Sequence, residues 1–247
     1  MGLKFSIPYQ IPFYETDITH QVKLPHLLAF SLQVSAMQSE SLGNADDAVF
    51  DQYGLVWIVT DYAIEIDRLP RYNEKVTITT EAISYNKIFC YRNFYITDEA
   101  GQQIMLFKTT FALMDYETRK VAEVPDELVA PYEAEKTKKL LRGPRYKVLE
   151  NPIETLYRVR YFDLDMNGHV NNSKYLEWML DVFDLDFLTK YTPARIDLKY
   201  VKEIHHGSEI YSGYEFDQDS LSSQHQICVD GNVHAQAIIQ WKEIGDK

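Results

Sequence analysis

The strongest constraint on the fold is a repeated order of segments. A long apolar segment of helical character followed by about four long strand-like segments occurs twice in 247 residues. In the first half, LPHLLAFSLQVSAMQSES (Leu24–Ser41) reads as a helix, with Pro25 in its first turn and Gly43 at its stop. Strands are expected at 55–69, 75–84, 87–97 and 103–116, rich in Val, Ile, Thr, Tyr and Phe, with a hairpin turn at Asp98–Gly101. In the second half a short strand (157–161) precedes a helix expected over 173–188, capped by Asn171 or Asn172. Strands should follow at 194–203, 208–216, 224–229 and 232–243, and Asp230-Gly231 signals a two-residue hairpin.

The second helix is apolar nearly all round, with Tyr175, Leu176, Trp178, Met179, Leu180, Val182 and Phe183, so it should be buried. One long helix wrapped by an antiparallel sheet is the hot-dog arrangement. The expected fold is therefore α+β, a double hot-dog. Its units would span 1–130 and 151–247, joined by a polar linker at 131–150, part of it helical.

The halves align by hand. A shift of 148 positions places Asp17 on Asp165, Val22 on Val170 and Leu28 on Leu176. The same shift sets Thr19 against Asn167 and Gln21 against His169, and a shift of 134 sets Leu69 against Glu203. Three polar candidates for chemistry are thus replaced in the first copy. One half looks like a working site and the other like a scaffold.

The segment from Tyr161 to Asn172 packs two carboxylates, three amides, a glycine and an imidazole just before an apolar helix. Polar groups gathered at the positive end of a helix can stabilise a developing oxyanion, and Gly168 would let the backbone approach a carbonyl. A capped helix entry with Asx turns explains the Asp and Asn residues equally well.

Composition excludes several classes. A net charge of −12 argues against nucleic acid, and the 18 tyrosines suit core and pocket lining better than base stacking. No run approaches the roughly 20 apolar residues of a membrane span. The N-terminal stretch lacks a signal-peptide pattern, and Ser6 alone is a weak myristoylation signal, so a cytoplasmic location is expected. Cys90 and Cys228 form no disulfide framework or zinc spacing and are expected to be reduced and buried. No G-x-S-x-G elbow or glycine-rich nucleotide loop occurs. Adjacent His205 and His206 would point to opposite strand faces, a poor metal site. No metal or cofactor is expected.

DLDMNGHVNNSKYLEW (163–178) resembles the signature of plant and bacterial acyl-acyl-carrier-protein thioesterases. WIVTDYAIEIDRLPRYNEKVTI (57–78), Phe111–Asp115 through Val124-Pro125, and Leu198–Glu203 extend the likeness over nearly the whole chain. The resemblance implies hydrolysis of a fatty acyl thioester on acyl carrier protein, with no cofactor. It carries the catalytic aspartate, asparagine, histidine and glutamate onto Asp165, Asn167, His169 and Glu203. The plant enzymes have Cys after that glutamate; here Ile204 stands there, which favours a mechanism without a thiol. On this reading Asn167 and a backbone N–H near Gly168 bind the carbonyl oxygen, Glu203 activates water, His169 positions it, and Asp165 orients the loop. Attack by Glu203 itself, through an anhydride, stays open. The acyl chain would lie in the first half, along the helix bearing Leu28, Phe30 and Leu32.

The implied partner is acyl carrier protein with its phosphopantetheine-linked acyl chain. That protein is itself acidic, so docking needs local cations. Lys136, Lys138, Lys139, Arg142, Arg145 and Lys147 offer one cluster, which reads equally well as a solvated linker. A homodimer is compatible with the sequence. An acyl-CoA thioesterase, a non-catalytic acyl-binding regulator and, more weakly, a dehydratase of the same fold are the alternatives.

Overall fold

The computed structural model describes residues 2–244. They fall into two compact units: 2–62 with 68–142, and 63–67 with 143–244. Both are hot-dog units, and the fold class is the double hot-dog, α+β.

The first unit contains β1 (Lys4–Gln10), α1 (Leu24–Ser41), α2 (Asp46–Tyr53), the greater part of β2 (Leu55–Ile66), β3 (Lys75–Tyr85), β4 (Phe89–Thr97) and β5 (Gln103–Asp115). Short β6 (Val121–Ala122), α3 (Asp126–Val129) and β7 (Glu135–Lys136) follow. The strand order is β1-β3-β4-β5-β2, with β6 beside β5 and β7 running parallel to β3. α1 begins and ends at the expected residues. It buries Leu24, Leu27, Leu28, Ser31, Val34, Ser35 and Gln38, a stripe at helical spacing, and packs on β1 and β3. Each Leu, Ile or Val withdrawn from water there contributes roughly 1.5–3 kcal/mol. Leu28 lies on that buried face, whereas Phe30 turns aside and stacks on Tyr9 of β1 at 4.0 Å.

The second unit contains β8 (Ile153–Arg158), α4 (Asn172–Leu180), α5 (Leu185–Lys190), β9 (Tyr191–Tyr200), β10 (Glu209–Asp217), β11 (Ser222–Val229) and β12 (Asn232–Glu243). The strand order is β9-β12-β11-β10-β8, antiparallel throughout. The β11–β12 hairpin turns on Asp230 (φ 48°) and Gly231 (φ 73°), the paired left-handed residues of a type I′ turn.

Several expectations are corrected. The second helix does not run unbroken to 188. It stops at Leu180, and Asp184 starts α5 by accepting the Phe187 N–H at 2.8 Å. That break lets Phe183 enter an aromatic cluster with Phe187, Tyr214 and Trp241. The strand expected at 157–161 lies earlier, at Ile153–Arg158, and 161–163 forms a 3-10 turn. The helix α2 went unforeseen. The linker has no helix beyond Tyr132; from 137 to 149 it has no regular secondary structure and is mostly exposed. Cys90 and Cys228 are free thiols but only half-buried. Glu203 is not on a strand. β9 ends at Tyr200, because the N–H groups of Val201 and Lys202 both turn to the carbonyl of His234, at 2.8 and 3.1 Å.

The repeat is visible bond by bond inside each unit. Asp17 donates its N–H to the Gln21 carbonyl (2.9 Å) as Asp165 does to His169 (2.8 Å). The His20 N–H reaches the Asp17 carbonyl as the Gly168 N–H reaches that of Asp165, both at 3.0 Å. The Val22 N–H bonds to the Pro70 carbonyl (2.9 Å) and the Val170 N–H to that of Ile204 (3.4 Å), which joins the 148 and 134 shifts in one contact.

Candidate active site

The four sequence candidates lie in the second unit, on the loop before α4 and on the segment after β9. Asp165 organises the loop. Its Oδ1 accepts the N–H groups of Asn167 (2.9 Å) and His169 (3.2 Å), and its main-chain carbonyl accepts that of Gly168. Three consecutive N–H groups therefore converge on one residue. The backbone donor expected near Gly168 is thus already engaged within the loop. The donors left facing outward are side chains: the Asn167 amide, which is exposed and makes no hydrogen bond among the described residues, and the His169 imidazole. Gly168 sits at φ 79° with open space around its α-carbon. It serves the left-handed turn, and its first-unit counterpart His20 holds φ 64° at the same place.

His169 and Glu203 are brought together: Nε2 lies 3.6 Å from the Glu203 carboxylate, and both side chains are about one-third exposed. That distance is within charge-pairing range and beyond a good hydrogen bond. Such contacts tighten when substrate fills a site. The His205 ring stands 6.1 Å from that of His169. Among the described residues no group of three His, Cys, Asp or Glu side chains could hold a metal ion.

Beneath the loop lies a network that the sequence did not announce. Asp163 is 1% exposed. It accepts the Arg160 N–H at 2.8 Å and the guanidinium at 3.0 and 3.2 Å, and Lys174 stands 3.8 Å away. Burial alone would raise its pKa, but the hydrogen bonds and charges of Arg160, with that of Lys174, outweigh it and hold the carboxyl below its usual range. Its carbonyl accepts the Asn171 N–H (2.9 Å), and Asn171 in turn caps α4 through Ser173. Asp163 thus joins the 3-10 turn, the loop and the helix start. Tyr175, 3% exposed, is hydrogen-bonded to the backbone of Ile204, and burial pushes its phenol well above the usual value. Burial also pushes the Cys90 thiol up to about 12, so it stays protonated at neutral pH.

The first unit repeats the loop without its outward-facing polar side chains. Asp17 Oδ1 accepts from the Thr19 N–H (2.8 Å) and hydroxyl (2.7 Å), so Thr19 closes on its own loop where Asn167 points out. Gln21 is buried, and Leu69 stands where Glu203 would be.

A double hot-dog with one polar and one silent loop defines the class. Residues 2–132 match the acyl-ACP thioesterase N-terminal domain and residues 146–243 the acyl-ACP thioesterase C-terminal domain, so the chain belongs to the acyl-ACP thioesterase family. It is similar to an acyl-carrier-protein hydrolase of Cuphea viscosissima chloroplasts, 24% identical, covering 85% of this chain and 54% of that one. An oleoyl-acyl carrier protein thioesterase of Coriandrum sativum is 25% identical over 98% of this chain and 70% of its own. The chain spans about half the length of several curated relatives. A solved protein of Lactobacillus plantarum, assigned as an oleoyl thioesterase, is 33% identical, with a TM-score of 0.94 over 99% of this chain and 98% of that one. The 12:0-ACP thioesterase of Umbellularia californica shares the fold, at TM-score 0.85 and 19% identity, over 99% of each chain.

Proposed function

We propose that this protein hydrolyses the thioester of fatty acyl-acyl carrier protein, releasing a free fatty acid and ending chain elongation. The observation that carries the reading is the His169–Glu203 pair beside the outward-facing Asn167, set in a chain of this family.

In the proposed reaction the thioester carbonyl lies against the Asn167 amide. Glu203 takes a proton from water, and His169 holds that water in line with the carbonyl carbon. The developing oxyanion is stabilised by the Asn167 amide, a donor carried on the loop that Asp165 holds in place. Collapse breaks the C–S bond, and the phosphopantetheine thiolate leaves with the proton that Glu203 had taken. Asp165 touches no substrate on this account; it holds the loop through its three N–H contacts. The first unit acts as scaffold and holds the acyl chain along α1. The exposed cations Lys138, Lys139 and Arg142 meet the acidic carrier protein.

The test is mass spectrometry of fatty acids released from a panel of acyl-carrier proteins, with the same acyl groups on CoA in parallel. Faster release from carrier protein supports the proposal. Equal or faster release from CoA would favour an acyl-CoA thioesterase, and no release from either would favour a binding protein.

A further inference from the structure

The segment that carries Glu203 is held by one residue of β12. In the β11–β12 pairing, Ile227 faces Ala235 and Cys228 faces Val233, so His234 is the extra residue of a β-bulge. A bulge frees its residue from the ladder and re-aims it. Here the His234 carbonyl accepts the N–H groups of Val201 (2.8 Å) and Lys202 (3.1 Å). Its imidazole Nδ1 lies 3.0 Å from the Glu203 carbonyl, and since a carbonyl only accepts, Nδ1 carries the proton. Three successive residues, 201 to 203, are thus fastened to one.

The first unit has the same bulge. In the β4–β5 pairing Ile96 faces Met105 and Thr97 faces Gln103, which leaves Ile104 as the extra residue. The Ile104 carbonyl accepts the Arg68 N–H at 3.4 Å, the counterpart of the Lys202 contact. Ile104 is 1% exposed and has no polar side chain to offer. The bulge therefore does not require histidine. The imidazole occurs only where the clamped segment ends in Glu203, and the bulge without it carries Leu69 in the corresponding place.

We propose that His234 is a positioning residue for the thioesterase reaction, fixing the Glu203 backbone so that its carboxylate faces His169. The inference rests on the function proposed above and adds a member to the site that touches neither substrate nor water. A carboxylate released from its place by about 1 Å can lose up to about 10²-fold in rate.

The experiment compares His234→Ile, the residue the first unit tolerates at its bulge, with His234→Asn, whose amide N–H can replace the Nδ1 donor. Single-turnover and steady-state hydrolysis are read beside the melting temperature, with His234→Ala as a second deletion should the Ile variant misfold. The expected result is a fall in kcat of about 10- to 100-fold for His234→Ile with KM within about two-fold, and recovery of most of the rate in His234→Asn. In a Glu203→Gln background, His234→Ile should add less than about a two-fold loss, because its effect passes through the Glu203 carboxylate. Unchanged kcat in both deletion variants, no recovery with Asn, or an undiminished loss in the Glu203→Gln background would overturn the inference. Those results would leave the function intact if Glu203→Gln is itself inactive; full activity in Glu203→Gln would overturn both.

Discussion

His225 should make the protein acid-sensitive in a way that one substitution removes. The imidazole is 1% exposed, packed beside Phe183 (5.7 Å) and stacked near Tyr214 (6.0 Å). Its Nε2 lies 2.7 Å from the Ser223 hydroxyl, which also accepts the Trp241 indole N–H at 2.8 Å; its Nδ1 is buried with no partner. Nothing there welcomes a charge, and burial lowers its pKa from 6.5 to about 3. Between those values the unfolded chain takes up a proton that the folded chain refuses, so stability is full above pH 6.5 and falls as the pH drops toward 3. At pH 5 the linkage amounts to about 2 kcal/mol, equivalent to roughly 4–8 °C in Tm for a chain of this size. His225→Leu removes the titration and the orphaned Nδ1 together. Thermal melts of wild type and variant at pH 8, 6.5 and 5 isolate the term, since every other group titrates in both. Wild type should lose about 2 kcal/mol more than the variant between pH 8 and pH 5. Parallel losses in the two proteins would refute the reasoning.

The remaining predictions concern the site and docking. Asn167→Ala and His169→Ala should each lower kcat by about 10²–10³, while Thr19→Ala and Gln21→Ala stay within a few-fold of wild type at unchanged Tm; equal losses at Gln21 and His169 would mean that both units contribute. Reversing the exposed Lys138, Lys139 and Arg142 to Glu should raise KM for acyl-carrier protein with little change in kcat, and the wild-type KM should rise with salt, because exposed charges are screened over roughly 8 Å at physiological ionic strength. An unmoved KM would make that stretch a linker only.

Much of this arrangement was legible in the sequence because it depends on local pattern. Pro25 and the apolar spacing of Leu24–Ser41 set the bounds of α1, and Asp230-Gly231 set the last hairpin. The loop candidates could be read because Asp165, Asn167 and His169 lie within five residues of one another. What escaped is set by contacts that exist only once the chain is folded, some between near neighbours and some between distant segments. Asp184 reads as one more polar residue on a helix until its carboxylate is seen to start a new one. Glu203 reads as the end of a strand because the bonds that end β9 come from His234, thirty-one residues away. The buried ion network of Asp163 likewise requires Arg160 and Lys174 to be folded onto it. Its acidic counterpart Glu15 is also buried, but there the partner is the Tyr9 hydroxyl, at 2.7 Å, so shared burial did not predict a shared partner.

The most direct test of the account is single-turnover hydrolysis of a fatty acyl-carrier protein by wild type and Glu203→Gln, followed by quenched-flow mass spectrometry. Gln keeps the size and the backbone contact to His234 but removes the base. The account predicts that free fatty acid forms at least about 10²-fold more slowly, with substrate binding and Tm unchanged. Release at the wild-type rate would show that Glu203 activates no water, and the assignment of chemistry to the second unit would lose its central residue.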